Sequence, residues 1–394
     1  IFSIFFFYFL SIYYNFFNSF NSWLLTILVF GNIYFISWNQ FFIYFFNMFG
    51  RRKIFVVLNT LTMALSLFSS VYLMLNFKKT AVLWLLGQVI AGIFILFIST
   101  YYFFQFYLSE ESFNLKTAVR IKKDSIFSVI IFVFPIILVA ILLWLQNHCY
   151  RFMIAKYFDL EFLGILGVGF ALAANIATTV ESLFQQLYGP IFFKKINTER
   201  PKIRFIIWSR MARLSLIVYI PLAIFVTFLA PFLLRILTNQ KFSGALLFVI
   251  FGIWIEFFRM ITNIFSHVAH SEMNTKYLIF PYFIGMIVTL SGIFIFKKSE
   301  NYSYFIPMSI LLGNIFIMSS MYYNMKKLFP IKINYKLIIN IIVGSLPFIL
   351  ALAFYNYSVN IFYSIGVILL FGSYFLALQF FMYKKFVTTQ NLDL

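Results

Sequence analysis

The sequence predicts an all-α, polytopic membrane protein of about twelve transmembrane helices. Of its 394 residues, 63% are hydrophobic and only 10% are charged, more apolar surface than a soluble fold can bury. Apolar runs of roughly 20 residues, the length a spanning helix needs, recur along nearly the whole chain. Such runs lack the residue-by-residue alternation of a membrane β-barrel. The formal net charge of +19 would point to nucleic acid in a soluble protein. Here the basic residues cluster in short joints between apolar runs, where they set topology, and nucleic acid drops out as a partner. The 59 Phe residues read as filling of lipid-facing positions.

The first span is Ile1–Phe20 and the second Trp23–Met48, joined by the polar turn Asn18–Ser22. Because the chain opens on Ile1 inside an apolar run, an N-terminal truncation is expected. After Arg51, Arg52 and Lys53 comes a third span, Phe55–Leu75, and after Lys78 and Lys79 a fourth, Ala81–Phe104. Residues 109–124 break the pattern with Glu110, Glu111, Lys116, Arg120, Lys122, Lys123 and Asp124. Leu115 and Val119 share a helical face there, so this stretch reads either as an amphipathic linker on the membrane surface or as a solvated loop. Eight further spans follow: Ser125–Asn147, Leu163–Tyr188, Ile206–Leu234, Ala245–Val268, Tyr277–Phe296, Phe305–Tyr323, Leu337–Tyr355 and Ile361–Tyr383. Pro135, Pro221, Pro281, Pro307 and Pro347 lie in or at the start of spans, each removing a helix hydrogen bond and marking a bending point.

Taking joints in alternation puts more than twice as many Lys and Arg on one side as on the other. The richer side, with Arg51–Lys53, residues 109–124, Lys194–Arg204, Lys276, Lys326–Lys336 and Lys384–Lys385, is expected to be cytoplasmic. The joint around Arg151 is then external and the tail Val387–Leu394 internal.

The chain is organised around Phe127–Lys195, two apolar spans joined by a short charged joint that carries Arg151, Lys156, Asp159 and Glu161. The motifs Tyr150-Arg151, Phe162-Leu163-Gly164-Ile165-Leu166 and Pro190-Ile191-Phe192-Phe193-Lys194 fall in this stretch. In order and spacing they resemble the polysaccharide flippases, the Wzx-like branch of the multidrug/oligosaccharidyl-lipid/polysaccharide exporter superfamily. Tyr150 stands where that pattern has an acidic residue, and Leu166 where it has an aromatic. The resemblance implies two pseudo-symmetric six-helix lobes facing a central cavity. Residues 1–108 would be the remaining part of the first lobe, 109–124 a cytoplasmic linker and 125–328 the second lobe. Residues 329–394 would hold two additional C-terminal transmembrane helices and the tail.

Few ionisable residues lie within the predicted spans: Glu181, Arg210, Arg213, Glu256, Arg259 and, near an end, His267. A charge at a helix centre costs about 2.5–3.5 kcal/mol on insertion scales, so none should face lipid. Glu256 and Arg259 are three apart and able to pair. Arg210 and Arg213, also three apart, either snorkel to lipid headgroups or form a basic pocket for a lipid diphosphate. Glu181 pairs with an Arg of another helix, lines a cavity or takes up a proton, and Thr178, Thr179 and Ser182 stand close enough to hydrogen-bond it. Candidate ion-coupling residues are therefore Glu181 and Glu256, and candidate substrate-binding residues are Arg151, Arg210, Arg213 and Arg259. No metal or cofactor is expected: Cys149 is the single cysteine, His148, His267 and His270 are scattered, and no Gly-rich phosphate loop is present.

The resemblance implies a non-enzymatic flippase in a bacterial inner membrane. It would move a polyprenyl-diphosphate-linked oligosaccharide, an O-antigen or capsule repeat unit, by alternating access. Its partners would be that lipid-linked saccharide, the membrane lipids, and a polysaccharide polymerase and glycosyltransferases. An ion-coupled drug or small-solute antiporter of the same fold is the alternative, and it would want acidic residues in the first lobe.

Overall fold

A computed structural model of the chain describes residues 22–77, 80–109, 123–196, 201–331, 334–355 and 361–390. Among these residues every regular element is helical. Eleven segments are long and apolar enough to cross a membrane, at the places of the eleven spans expected after the first. The expected span Ile1–Phe20, most of the linker 109–124 and the end of the tail lie outside the described residues. Helix is the necessary outcome for these runs, because hydrocarbon offers no partner to an unpaired backbone N–H or C=O.

The chain divides into two compact units, Ile1–Ile121 and Lys122–Leu394. In the first, α1 (Ser22–Met48), α2 (Arg52–Asn76) and α3 (Ala81–Ser109) pack pairwise. Ile43, Phe46, Phe55, Leu58, Ile95 and Phe106 form its core. Polar contacts tie the three helices within the spans. Asn32 Nδ2 donates to Gln88 Oε1 at 2.8 Å, Asn39 Nδ2 to the Gly92 carbonyl at 2.9 Å, and Ser70 Oγ to the Trp84 carbonyl at 2.9 Å. Such bonds hold apolar helices together where burial from water supplies no drive between them.

The second unit opens with α4 (Lys123–Trp144), a π-helical turn at Leu145–Cys149 and the short α5 (Tyr150–Tyr157). The charged joint expected around Arg151 is thus a continuation of the helix, broken only at Phe158–Asp159. Two long helices follow, α6 (Leu160–Ile196) and α7 (Pro201–Leu237), then α8 (Leu246–Ser271), α9 (Ile279–Ile295) and α10 (Tyr302–Lys326). Pro135, Pro221 and Pro307 are accommodated inside α4, α7 and α10. At Pro347 the helix α11 (Tyr335–Ser345) tightens into a 3-10 stretch, Leu346–Phe354, and the described chain ends in α12 (Ile361–Gln390). α11, the 3-10 stretch and α12 all pack against α7. The most buried helix of the unit is accordingly α7, with 56% of its most apolar window inside the structure against 17–44% for the other spans.

A seam between α6 and α8 positions the site described below. Gly169, Ala173, Ala177 and Glu181 recur every four residues and are all buried. Four residues on a helix return nearly to the same face, so the three small residues form a shallow stripe with Glu181 in line. Opposite them α8 presents Phe248, Gly252 and Glu256 at the same interval. A Cβ added at Gly169 would lie 2.6 Å from Phe248 Cβ, and one at Gly252 2.9 Å from Ala173 Cβ. Only glycine allows these backbones to meet so closely. Gly252→Val is therefore expected to lower stability by about 1–3 kcal/mol through overpacking, read as a lower melting temperature in detergent. Gly366→Ala, with nothing within 4 Å of its added methyl, should leave the melting temperature unchanged.

Candidate functional site

The seam leads to a charged cluster about 15 Å along α8 from Leu246, well inside the span at 1.5 Å per residue. Arg259 Nη2 donates to Glu181 Oε2 at 2.7 Å across the α6–α8 interface, and Arg259 Nε donates to Glu256 Oε2 at 2.6 Å within α8. Asn263 Nδ2 completes the cluster with a 2.8 Å bond to the other Glu181 oxygen. The side chains are 12%, 15% and 25% exposed for Glu181, Glu256 and Arg259, so they turn toward neighbouring helices and away from lipid.

Magnitudes explain why the three charges stay together. Separately facing lipid at helix centres they would cost on the order of 8–10 kcal/mol in total. Shared bonds to one guanidinium offset most of that cost. The accounting does not end at neutrality, because two carboxylates face one cation and leave a formal charge of −1. Tyr219 of α7 and Tyr282 of α9 lie within the electrostatic reach of Glu181 and Arg259. Tyr219 is fully buried beside Phe184, and its hydroxyl has no hydrogen-bond partner among the described residues.

Glu181 has an Arg partner on another helix, as one of its readings expected. Thr178, Thr179 and Ser182 do not bond it. Their hydroxyls donate to carbonyls of the preceding turn, Ala174, Asn175 and Thr179, at 2.7, 2.7 and 2.9 Å. Hydroxyls on a helix commonly bond back along their own backbone in this way. The pair Glu256–Arg259 stands as its spacing predicted. Asn263 was not singled out in the sequence, though it lies seven residues after Glu256 on the same face.

The four candidate arginines do not converge. Only Arg259 belongs to the cluster. Arg151, exposed on α5, donates from Nε to the Tyr150 hydroxyl at 3.3 Å and has its guanidinium 5.7 Å from that ring. Arg210 and Arg213 lie toward the opposite end of the spans, near the start of α7. Arg210 acts electrostatically on Tyr188, and Arg213 Nε donates to the Ser209 carbonyl at 3.2 Å.

Toward that same end α8 is tied to its neighbours by further polar contacts. Gln185 Nε2 meets His267 Nε2 at 3.2 Å, Trp208 Nε1 donates to the Ile264 carbonyl at 3.0 Å, and Arg204 pairs with Glu272 at 3.1 Å. Among the described residues no group of three His, Cys, Asp or Glu could hold a metal ion.

No protein-family model matches the sequence, and no curated protein sequence matches it. The structure is similar to that of a protein described as the lipid II flippase MurJ in an inward closed conformation. The TM-score is 0.58 and the identity 13%, over 94% of this chain and 75% of that one. The likeness is one of fold: a multi-pass helical membrane protein of that architecture.

Arg259→Met would leave two carboxylates within a membrane span without their cation. It is expected to destabilise the second unit by about 3–5 kcal/mol, the cost of orphaning a buried charge. Asn263→Ala, which removes one neutral donor, should cost about 1–2 kcal/mol. Melting curves of the purified variants check both the magnitudes and their order.

Proposed function

We propose that this chain is a flippase of a bacterial inner membrane. It moves a polyprenyl-diphosphate-linked oligosaccharide, an O-antigen or capsule repeat unit, from the cytoplasmic to the outer leaflet by alternating access. The observation that carries this reading is the fold likeness to a lipid II flippase over 94% of the chain. The sequence motifs from Tyr150 to Lys194 support the oligosaccharide branch. The broader organisation proposed with it is a first lobe within residues 1–108, a linker at 109–124, a second lobe at 125–328 and accessory helices at 329–394. A polymerase and glycosyltransferases that make and consume the lipid-linked saccharide are the proposed partners.

In this mechanism Arg151 meets substrate charge at the outer end of the spans, and Arg210, with Arg213 adding positive potential beside it, meets it at the basic, cytoplasmic end. Arg259, whose Nε and Nη2 each serve a different carboxylate, takes part by exchanging one of these partners for a diphosphate oxygen. The surplus negative charge shared by Glu181 and Glu256 is the coupling element. A proton or cation arriving from one side neutralises it and loosens the clamp between α6 and α8. An antiporter of the same fold is less favoured, because the described residues of the first unit contain no Asp or Glu.

Glu181→Gln and Glu256→Gln each remove the surplus charge while keeping side-chain shape. In proteoliposomes loaded with a polyprenyl-diphosphate saccharide, wild-type flipping should respond to an imposed pH or cation gradient, and both variants should assemble yet lose that response. An unchanged response would make the cluster purely structural. In cells, Arg→Ala at all four candidate arginines with undiminished surface polysaccharide would sink the substrate assignment.

A further inference from the structure

A second feature of this unit lies apart from the ion cluster. Near the start of α7, the end of α8 and the start of α11, a cavity of ≈ 610 Å³ opens at the basic end of the spans. Ile206, Leu216, Ile261, Phe265 and Ile331 give it an apolar wall, and Arg213 and Lys336 supply charge. Among the described residues its lining contains no Asp or Glu. The acidic residue at the nearby end of α8, Glu272, is already engaged by Arg204. Arg210 is close enough to act electrostatically on Arg213, which raises the local positive potential further.

Depth in the bilayer is set by the same residues. Tyr335 lines the cavity, and exposed Tyr concentrates where hydrocarbon meets headgroups. Tyr335 is 70% exposed, so the cavity reaches the surface there. Lys194, Lys195, Lys276, Lys326 and Lys327 crowd the same end of the unit. By the positive-inside rule that end faces the cytoplasmic leaflet, where the anionic lipids of a membrane exert their pull. Asn334, whose side chain accepts from Leu337 N at 3.0 Å, caps α11 so that its positive end also borders the cavity.

We propose that this cavity is a binding site for an anionic phospholipid of the cytoplasmic leaflet, separate from the transported lipid. Its phosphate lies between Arg213 and Lys336, and the upper part of an acyl chain covers Ile206, Leu216 and Phe265. A cavity of this size suits a headgroup and several methylenes. The occupant bridges α11 to the start of α7, beside the direct α7–α8 contacts at Trp208–Ile264 and Arg204–Glu272.

Native mass spectrometry of the delipidated full-length chain tests the assignment, using phosphatidylglycerol and phosphatidylethanolamine with identical acyl chains. Two basic contacts, at about fivefold each, give an expected preference of roughly 25-fold for phosphatidylglycerol. Lys336→Glu, at an exposed position where the fold tolerates change, should abolish the preference. Ala212→Trp, which fills the cavity, should abolish retention of both lipids. Equal retention of the two lipids, or a preference that survives Lys336→Glu, overturns the proposal. Displacement of phosphatidylglycerol by millimolar inorganic phosphate would identify a free-anion site and also overturn it. Displacement by an equimolar polyprenyl diphosphate would assign the cavity to the transported lipid instead.

Discussion

One guanidinium shared by two carboxylates inside a membrane span constrains the whole second unit. Neither Glu181 nor Glu256 can turn to lipid, and Arg259 cannot leave both without exposing them. α6 and α8 must therefore approach closely enough for a 2.7 Å bond. Closeness in turn requires the small residues Gly169, Ala173 and Gly252 one to three turns away. α7 packs against both helices, carrying the buried Tyr219 beside Phe184, and the two C-terminal spans are fastened to α7 in their turn. The polar cluster sets the register of the seam, and the apolar packing around it supplies most of the contact area.

Spans were legible because their signal is local: about twenty apolar residues between charged joints need no partner to be recognised. The Glu256–Arg259 pair was legible for the same reason, since three residues on a helix bring side chains together. The partner of Glu181 was not, because Arg259 is 78 residues away and only the crossing of α6 and α8 unites them. Local reading also misassigned the hydroxyls near Glu181. Thr178, Thr179 and Ser182 were close enough in sequence, but carbonyls of their own helix were closer in space. The joint at Arg151 looked like a loop from its charges, whereas the backbone carries the helix through it by way of a π-helical turn at Leu145–Cys149. The cavity by Arg213 was invisible for a different reason: its wall draws on α7, α8, Ile331 and the start of α11, and no sequence interval links them.

The arginines separate into three environments with different physics. Arg151 is exposed on a short helix beside a tyrosine ring, Arg259 is locked between carboxylates, and Arg210 with Arg213 sits at the basic end of the spans. In the proposed mechanism a lipid-linked diphosphate meets them in sequence, which suits a path better than a single tight site. Binding strong enough to hold substrate at one point would slow its release on the far side.

The most direct test of this account is a double-mutant cycle between Glu181→Gln and Arg259→Gln, read as thermal stability of the purified chain. If the two side chains are bonded across the α6–α8 seam, the losses from the single variants should exceed that of the double by about 1–3 kcal/mol of coupling. The double variant should then melt close to, or above, the Arg259→Gln single. Losses that simply add would mean that α6 and α8 are not joined through this pair, and would contradict both the seam and the coupling role built on it.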